Sequence, residues 1–172
     1  MRCIGIIGAM EVEVASLKEQ MKDIQVTRKA SMEFYSGIIE GKNVVVVRSG
    51  IGKVNAAVCT QILIDDFKAE VVINTGIAGS LNADINIGDI VVSTDLIHHD
   101  MNAVAFGYPV GQIPQMEAFS FHSDDALRAR LAVPRFSLPA QQHAHGRVRR
   151  LRGKPLPFST AGTRTHPRRH RG

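Results

Sequence analysis

Glu11 and Glu13 follow the stretch Ile4-Gly5-Ile6-Ile7-Gly8-Ala9-Met10, which reads as a strand running into a glycine turn. Two more segments share that build: Val44-Val45-Val46-Val47-Arg48-Ser49-Gly50-Ile51-Gly52-Lys53 and Val71-Val72-Ile73-Asn74-Thr75-Gly76-Ile77-Ala78-Gly79. Carboxylates of this kind are the groups that do general acid–base work. Each β-branched run reads as a strand buried on both faces. Glycines at its carboxyl end leave no Cβ to keep a ligand from the backbone. In open α/β sheets the ligand crevice lies at those ends, so three such edges suit a pocket for a small ligand. The residues alone leave a plainer reading of Glu13 open, a first-turn acid favoured by the helix dipole.

Other chemistries find little support. Gly5-x-x-Gly8 lacks the leading Gly-x-Gly of a dinucleotide fingerprint, Gly50-x-Gly52 has no third glycine at the required spacing, and no phosphate-binding Walker pattern occurs. His98-His99-Asp100 resembles a metal cluster, yet adjacent residues at a strand end point to opposite faces, so these read as surface or network residues. His143-x-His145 and His166 to His170 have no acid or cysteine nearby in sequence to complete a ligand set. Cys3 and Cys59 fall in a strand and a helix without metal spacing and read as buried free thiols, in keeping with the cytoplasm. No apolar run approaches the ~20 residues of a bilayer span, and the start lacks the pattern of a signal peptide.

The elements that must position the glycine turns are legible. Strands are expected at Arg2–Ile7, Ile24–Lys29, Glu33–Glu40, Val44–Arg48, Glu70–Asn74 and within Gly88–Ser93. Helices are expected from Glu11 to about Met21, with Val14, Leu17 and Met21 on one stripe, and from Lys53 to Phe67, with Val54, Ala57, Val58, Ile62 and Leu63 at helical spacing. Gly41-Lys42-Asn43 is the expected turn between two strands. Tyr108 to Met116 is loop. Ser123 is the expected N-cap of a last helix, with Asp124 and Asp125 in its first turn. Strands alternating with helices predict an α/β fold with a mainly parallel sheet.

Near Arg130 the chain changes character. All sixteen Asp and Glu lie at or before Asp125, against nine Lys and Arg, a net of −7, whereas the last 47 residues hold twelve Lys and Arg and no acid. From Pro134 onward the vocabulary narrows to Arg, Pro, His, Ala, Gly and a few others, without helical or strand periodicity. So little apolar surface cannot offset the entropy of ordering the chain. Residues 132–172 are therefore expected to be a disordered basic tail, of the composition that a reading-frame shift near codon 132 produces in GC-rich DNA. The alternative is a nucleic-acid-binding tail whose arginines neutralise phosphates. The scarcity of interleaved aromatics, only Phe136 and Phe158, argues against it.

With these motifs assembled, residues 1–131 resemble the 5′-methylthioadenosine/S-adenosylhomocysteine nucleosidases, within the purine nucleoside phosphorylase superfamily. The resemblance rests on Gly5–Glu13, Ser49–Ala57, Asn74–Leu81, Gly88–Ser93 and Ala105-Phe106-Gly107-Tyr108, in that order. It implies a mixed, mainly parallel sheet flanked by helices, and hydrolysis of the N-glycosidic bond between adenine and a 5′-thio-substituted ribose. Neither metal nor organic cofactor is implied. Glu13 matches the glutamate that works on the attacking water. Ala9, Met10 and Ile51 match positions beside the water and ribose, with core packing the plainer reading of Met10. Ile77, Ala78 and Gly79 match the segment along the nucleoside, although many relatives carry serine where Ile77 stands.

Phe106 and Pro114 match residues lent across a homodimer interface, the alternative being that Phe106 packs into its own domain. The resemblance also implies parts that are missing. After Leu131 there is no Asp or Glu, so neither the ribose-gripping glutamate of a Met-Glu pair nor the aspartate acid of a Ser-Asp pair can be placed. The chain is expected to be the N-terminal part of such an enzyme, and by itself inactive.

Overall fold

Successive residues of a strand face opposite ways, and in the run Val44–Val47 both sides are filled. Val45 and Val47 join a buried cluster with Ile7, Phe34, Cys59 and Leu63, while Val44 and Val46 join another with Val14 and Met21. The computed structural model describes residues 2–130 and 148–151. It divides into two units, Met1–Gly79 and Ser80–Gly172.

In the first unit the elements run β1 (Cys3–Gly8), α1 (Glu11–Gln20), β2 (Lys22–Lys29), β3 (Met32–Ile39), β4 (Lys42–Arg48), α2 (Lys53–Asp65) and β5 (Ala69–Asn74). They form a five-stranded sheet ordered β2-β3-β4-β1-β5. β1 is parallel to β4 and to β5, with Gly8 opposite Arg48 and Ile7 opposite Asn74. β2, β3 and β4 form an antiparallel meander. Its second turn lies at Glu40-Gly41, since Lys42 already belongs to β4. Residues of α1 pack on one face of the sheet and residues of α2 on the other, so the unit has the expected α/β character, mixed with a parallel centre.

Two expectations are corrected here. The run Val71-Val72-Ile73, read as buried on both faces, belongs to the edge strand β5, where Ile73 is 42% exposed. In α2 the apolar stripe is only half used: Cys59, Ile62 and Leu63 are buried, whereas Val54, Ala57 and Val58 are exposed. Periodicity identifies an apolar face, but neighbouring elements determine how far along the helix it is covered.

The second unit contains β6 (Ile90–Ser93), β7 (Asp95–Leu96), a single 3₁₀ turn at Val104–Phe106, β8 (Phe121–His122), α3 (Asp125–Arg130) and β9 (Val148–Leu151). β6 pairs antiparallel with β9, and β7 with β8. β9 corrects the expectation that no strand lies beyond Pro134. A four-residue ladder is made by backbone groups and needs no side-chain periodicity. The rest of the tail lies outside the described residues.

The cap of α3 also differs from expectation. Ser123 Oγ donates to the carbonyls of Ser93 and Thr94 at 2.6 and 3.0 Å, so it is occupied, and Asp124 Oδ1 accepts from Leu127 N–H at 2.8 Å. Among the described residues, no helix is long and apolar enough to cross a membrane.

Candidate active site

The parallel strands β4, β1 and β5 end side by side. Ser49 N–H donates to Gly8 O at 2.9 Å, and Thr75 N–H donates to Ile7 O at 2.8 Å, so the chain leaves β4 and β5 tied to the end of β1. Ser49 is buried and its hydroxyl donates to Gly50 O at 2.9 Å. Gly50 and Gly52 follow with φ of 84° and 108°, a backbone region that side-chain-bearing residues rarely enter. The turn is held from inside α2, where Asn55 Nδ2 donates to Ile51 O at 2.8 Å.

Glu13 reaches into this edge from the first turn of α1. Met10, the N-cap residue, makes no side-chain capping bond of its own. Glu13 Oε2 instead accepts from Met10 N–H at 2.8 Å, and Oε1 accepts from Ile77 N–H, just past β5, at 2.9 Å. The first-turn and site readings of Glu13 thus coincide in one carboxylate. Its pKa is lowered, first by the Ile77 N–H and then by that of Met10, because hydrogen bonds to the charged form favour it. A carboxylate has about four lone-pair sites. The two bonds leave acceptor capacity for a further donor.

Around this group the structure brings together several residues singled out in the sequence. Ala9 and Met10 are half-buried beside Glu13, while Ile51 and Ile77, 74% and 80% exposed, stand on the turns after β4 and β5. Ala78 and Gly79 continue the latter segment and are exposed. Phe106 and Pro114 belong to the second unit. Phe106 sits on the 3₁₀ turn, 82% exposed, so it does not pack into its own unit, and Pro114 is half-buried. Glu11 turns elsewhere, 2.8 Å from Lys18 Nζ and 3.7 Å from Arg48 Nε. His98 lies edge-on to Phe121, and no metal-holding group of His, Cys, Asp or Glu occurs among the described residues.

Sequence reasoning missed Asn55, whose position three residues after Gly52 was its only signal. It also took the glycine at 76 for a place where a ligand nears the backbone. What nears Gly76 is the Glu13 carboxylate: a Cβ there would lie 2.5 Å from Oε1.

A carboxylate and glycine turns gathered at the carboxyl ends of parallel strands are the arrangement of α/β proteins that take small ligands in a crevice there. The comparisons with known proteins carry this to a family. The chain belongs to the phosphorylase superfamily, whose family model matches residues 3–152, beyond the boundary near 131 at which the motifs end.

Similar relatives include the 5′-methylthioadenosine/S-adenosylhomocysteine nucleosidases of Anoxybacillus flavithermus and Staphylococcus aureus. The first is 54% identical over 124 residues, 72% of this chain and 53% of the relative. The second is 52% identical over 124 residues, 72% of this chain and 54% of the relative.

Among solved structures, the adenine complex of the Colwellia psychrerythraea nucleosidase matches with a TM-score of 0.71 at 46% identity, covering 74% of this chain and 52% of that one. The Neisseria meningitidis nucleosidase with methylthio-immucillin-A matches with a TM-score of 0.71 at 42% identity, over 77% and 59%. The futalosine hydrolase of Helicobacter pylori matches with a TM-score of 0.69 at 33% identity, over 74% and 55%. The chain spans about half the length of the curated relatives it matches.

Proposed function

We propose that residues 1–131 form the N-terminal part of a nucleosidase domain acting on 5′-methylthioadenosine or S-adenosylhomocysteine, followed by the basic segment 132–172, of which Val148–Leu151 pairs with β6. The observation that carries this reading is the Glu13 carboxylate, held by two backbone N–H groups at the carboxyl ends of β1 and β5. Breaking the N-glycosidic bond builds positive charge on the ribose, and water must meet that charge from the face opposite the departing adenine. A carboxylate kept ionised by its hydrogen bonds is a weak proton abstractor but a good anion. Glu13 therefore orients the water and stabilises the developing cation, taking a proton as the water adds.

Ala9, Met10, Ile51 and the segment Ile77, Ala78 and Gly79 line the thio-nucleoside in this reading. Gly79 supports it, because its φ is not in the left-handed region and nothing lies within 4 Å of where its Cβ would be. Neither conformation nor space within the chain calls for glycine there, whereas a ligand running along the backbone would. Phe106 and Pro114 come from a second copy in a homodimer and close over the 5′-thio substituent. Phe106 and Val104 are both exposed on one turn, and contiguous exposed apolar residues mark contact surfaces, which favours that role.

The chain has no Asp or Glu after Asp125, so the acid that protonates adenine and the carboxylate that grips the ribose have no source in the tail. A missing general acid alone costs about 10²–10⁴-fold in rate. The purified chain is expected to bind 5′-methylthioadenosine weakly, in a calorimetric titration, and to release no adenine by chromatography. Release at a rate near that of a full-length relative would refute the inactivity. Absence of any binding to the wild-type chain, with Glu13→Gln behaving identically, would refute the assignment of the site.

A further inference from the structure

We infer that Gly76 is a positioning residue for the Glu13 carboxylate, a slot without a side chain that lets both carboxylate oxygens meet backbone N–H groups at once. The inference deepens the reading of Glu13 given above, but its geometry stands on this chain alone. Glycine is usually retained for a left-handed φ or for a close approach. Gly76 is absent from the positive-φ residues, so its conformation would accept alanine. Space would not: a Cβ at 76 would stand 2.5 Å from Glu13 Oε1, 2.8 Å from Cδ and 3.2 Å from Oε2.

Gly8 closes the slot from the β1 side. A Cβ there would meet Val14 Cγ1 at 2.6 Å and Glu13 Cβ at 3.1 Å. The two glycines thus flank one side chain at the ends of two neighbouring strands. The three atoms nearest to a Cβ at Gly76 all belong to the free end of Glu13, a flexible group that yields more readily than backbone. Alanine at 76 therefore displaces the carboxylate and leaves the sheet in place. The displaced group loses its bond to Ile77 N–H, which is also the chief cause of its lowered pKa.

The test is a pH titration of the ¹⁵N- and ¹³C-labelled full chain by NMR. In the wild type, the Glu13 carboxyl and the Met10 and Ile77 amides are expected to titrate with one midpoint below the usual glutamate range. In Gly76→Ala the Ile77 amide loses that titration and the Glu13 midpoint rises, whereas Gly79→Ala, with open space around its Cβ, preserves both. A merely structural role for Gly76 would lower the melting temperature and leave the coupled titration intact.

Should Gly76→Ala not fold, the double variant Glu13→Ala/Gly76→Ala decides. Removing the carboxylate removes the clash, so the substitution at 76 should cost little in that background. An unchanged Ile77 titration in Gly76→Ala, or an undiminished loss in the Glu13→Ala background, would overturn the inference. A wild-type chain that shows the coupled titration but binds no 5′-methylthioadenosine would remove the proposed function and leave the positioning role standing.

Discussion

The two units of this chain are built to different standards. In Met1–Gly79 the centre of the sheet is covered on both faces, and Phe34, Val46, Val47, Val14, Cys59 and Leu63 are fully buried. In Ser80–Gly172 the buried residues among those described are Ala103, Gly111 and Gln112, and the ladders span two or four residues each. Helices on both sides of the central parallel strands bury their apolar side chains from both faces. Short antiparallel pairs joined by loops do not. The first unit should therefore register single side chains strongly, and the second should register its hydrogen-bonded caps more than its apolar groups.

Phenylalanine makes the sharpest test, because one stands at each extreme. Phe34 is 0% exposed and its ring stacks on Phe67 at 5.2 Å between centroids. Phe34→Ala is expected to cost about 3–5 kcal/mol, read from the urea midpoint. A loss under about 1 kcal/mol would mean that the first unit is not the closed core described.

Next in size are two hydrogen-bonded carboxylates, one in each unit. Asp124→Ala removes the bond to Leu127 N–H and should cost α3 about 1 kcal/mol, visible as faster amide exchange confined to that helix. Glu13→Ala releases the N–H groups of Met10 and Ile77. Since both can then bind water, the loss should also be about 1 kcal/mol, accompanied by faster exchange at Ile77.

Acid should weaken the first unit in particular. Glu13 is held below the usual carboxylate range by Ile77 and Met10, and Glu33 by the Tyr35 hydroxyl and then Arg28. Both groups bind protons more readily in the unfolded chain, where glutamate titrates near ~4.3. The stability they contribute is full above that pH and is lost as the pH falls through their lower folded values. Urea midpoints between pH 6 and 3 should fall, and less steeply in Glu13→Gln. Cys59 has the opposite sign: burial raises its thiol to about 11, so the stability linked to it is full below the unfolded thiol's value of ~8.5 and is lost as the pH rises from there through the folded value. The smallest effect belongs to Phe106→Ala, within about 0.5 kcal/mol in the isolated chain. A large loss there would show that the exposed ring is covered after all.

How much of this was legible beforehand depends on the range of the forces involved. The valine run of β4, the stripe through Val14 and Met21, and the glycines at 50 and 52 were readable because periodicity and φ preference act within a few residues. From these the α/β class and the strand ends that form the site followed. What lay beyond reach were choices made by partners distant in sequence. Ser123 and Asp124 are equally good caps by residue type, and the carbonyls of Ser93 and Thr94 decided between them by engaging the serine. Val71–Ile73 has the composition of a central strand, and only the sheet order makes it an edge.

Residue type alone marked Glu13 as a candidate carboxylate and Gly76 as a turn glycine. Only the tertiary structure brought them together, across the 64 residues that separate Glu13 from Ile77. Local propensity can bring a carboxylate to the end of a strand. Whether its charge meets water, a side chain or two backbone N–H groups depends on which other strand ends beside it, and the parallel pairing of β1 with β5 settles that.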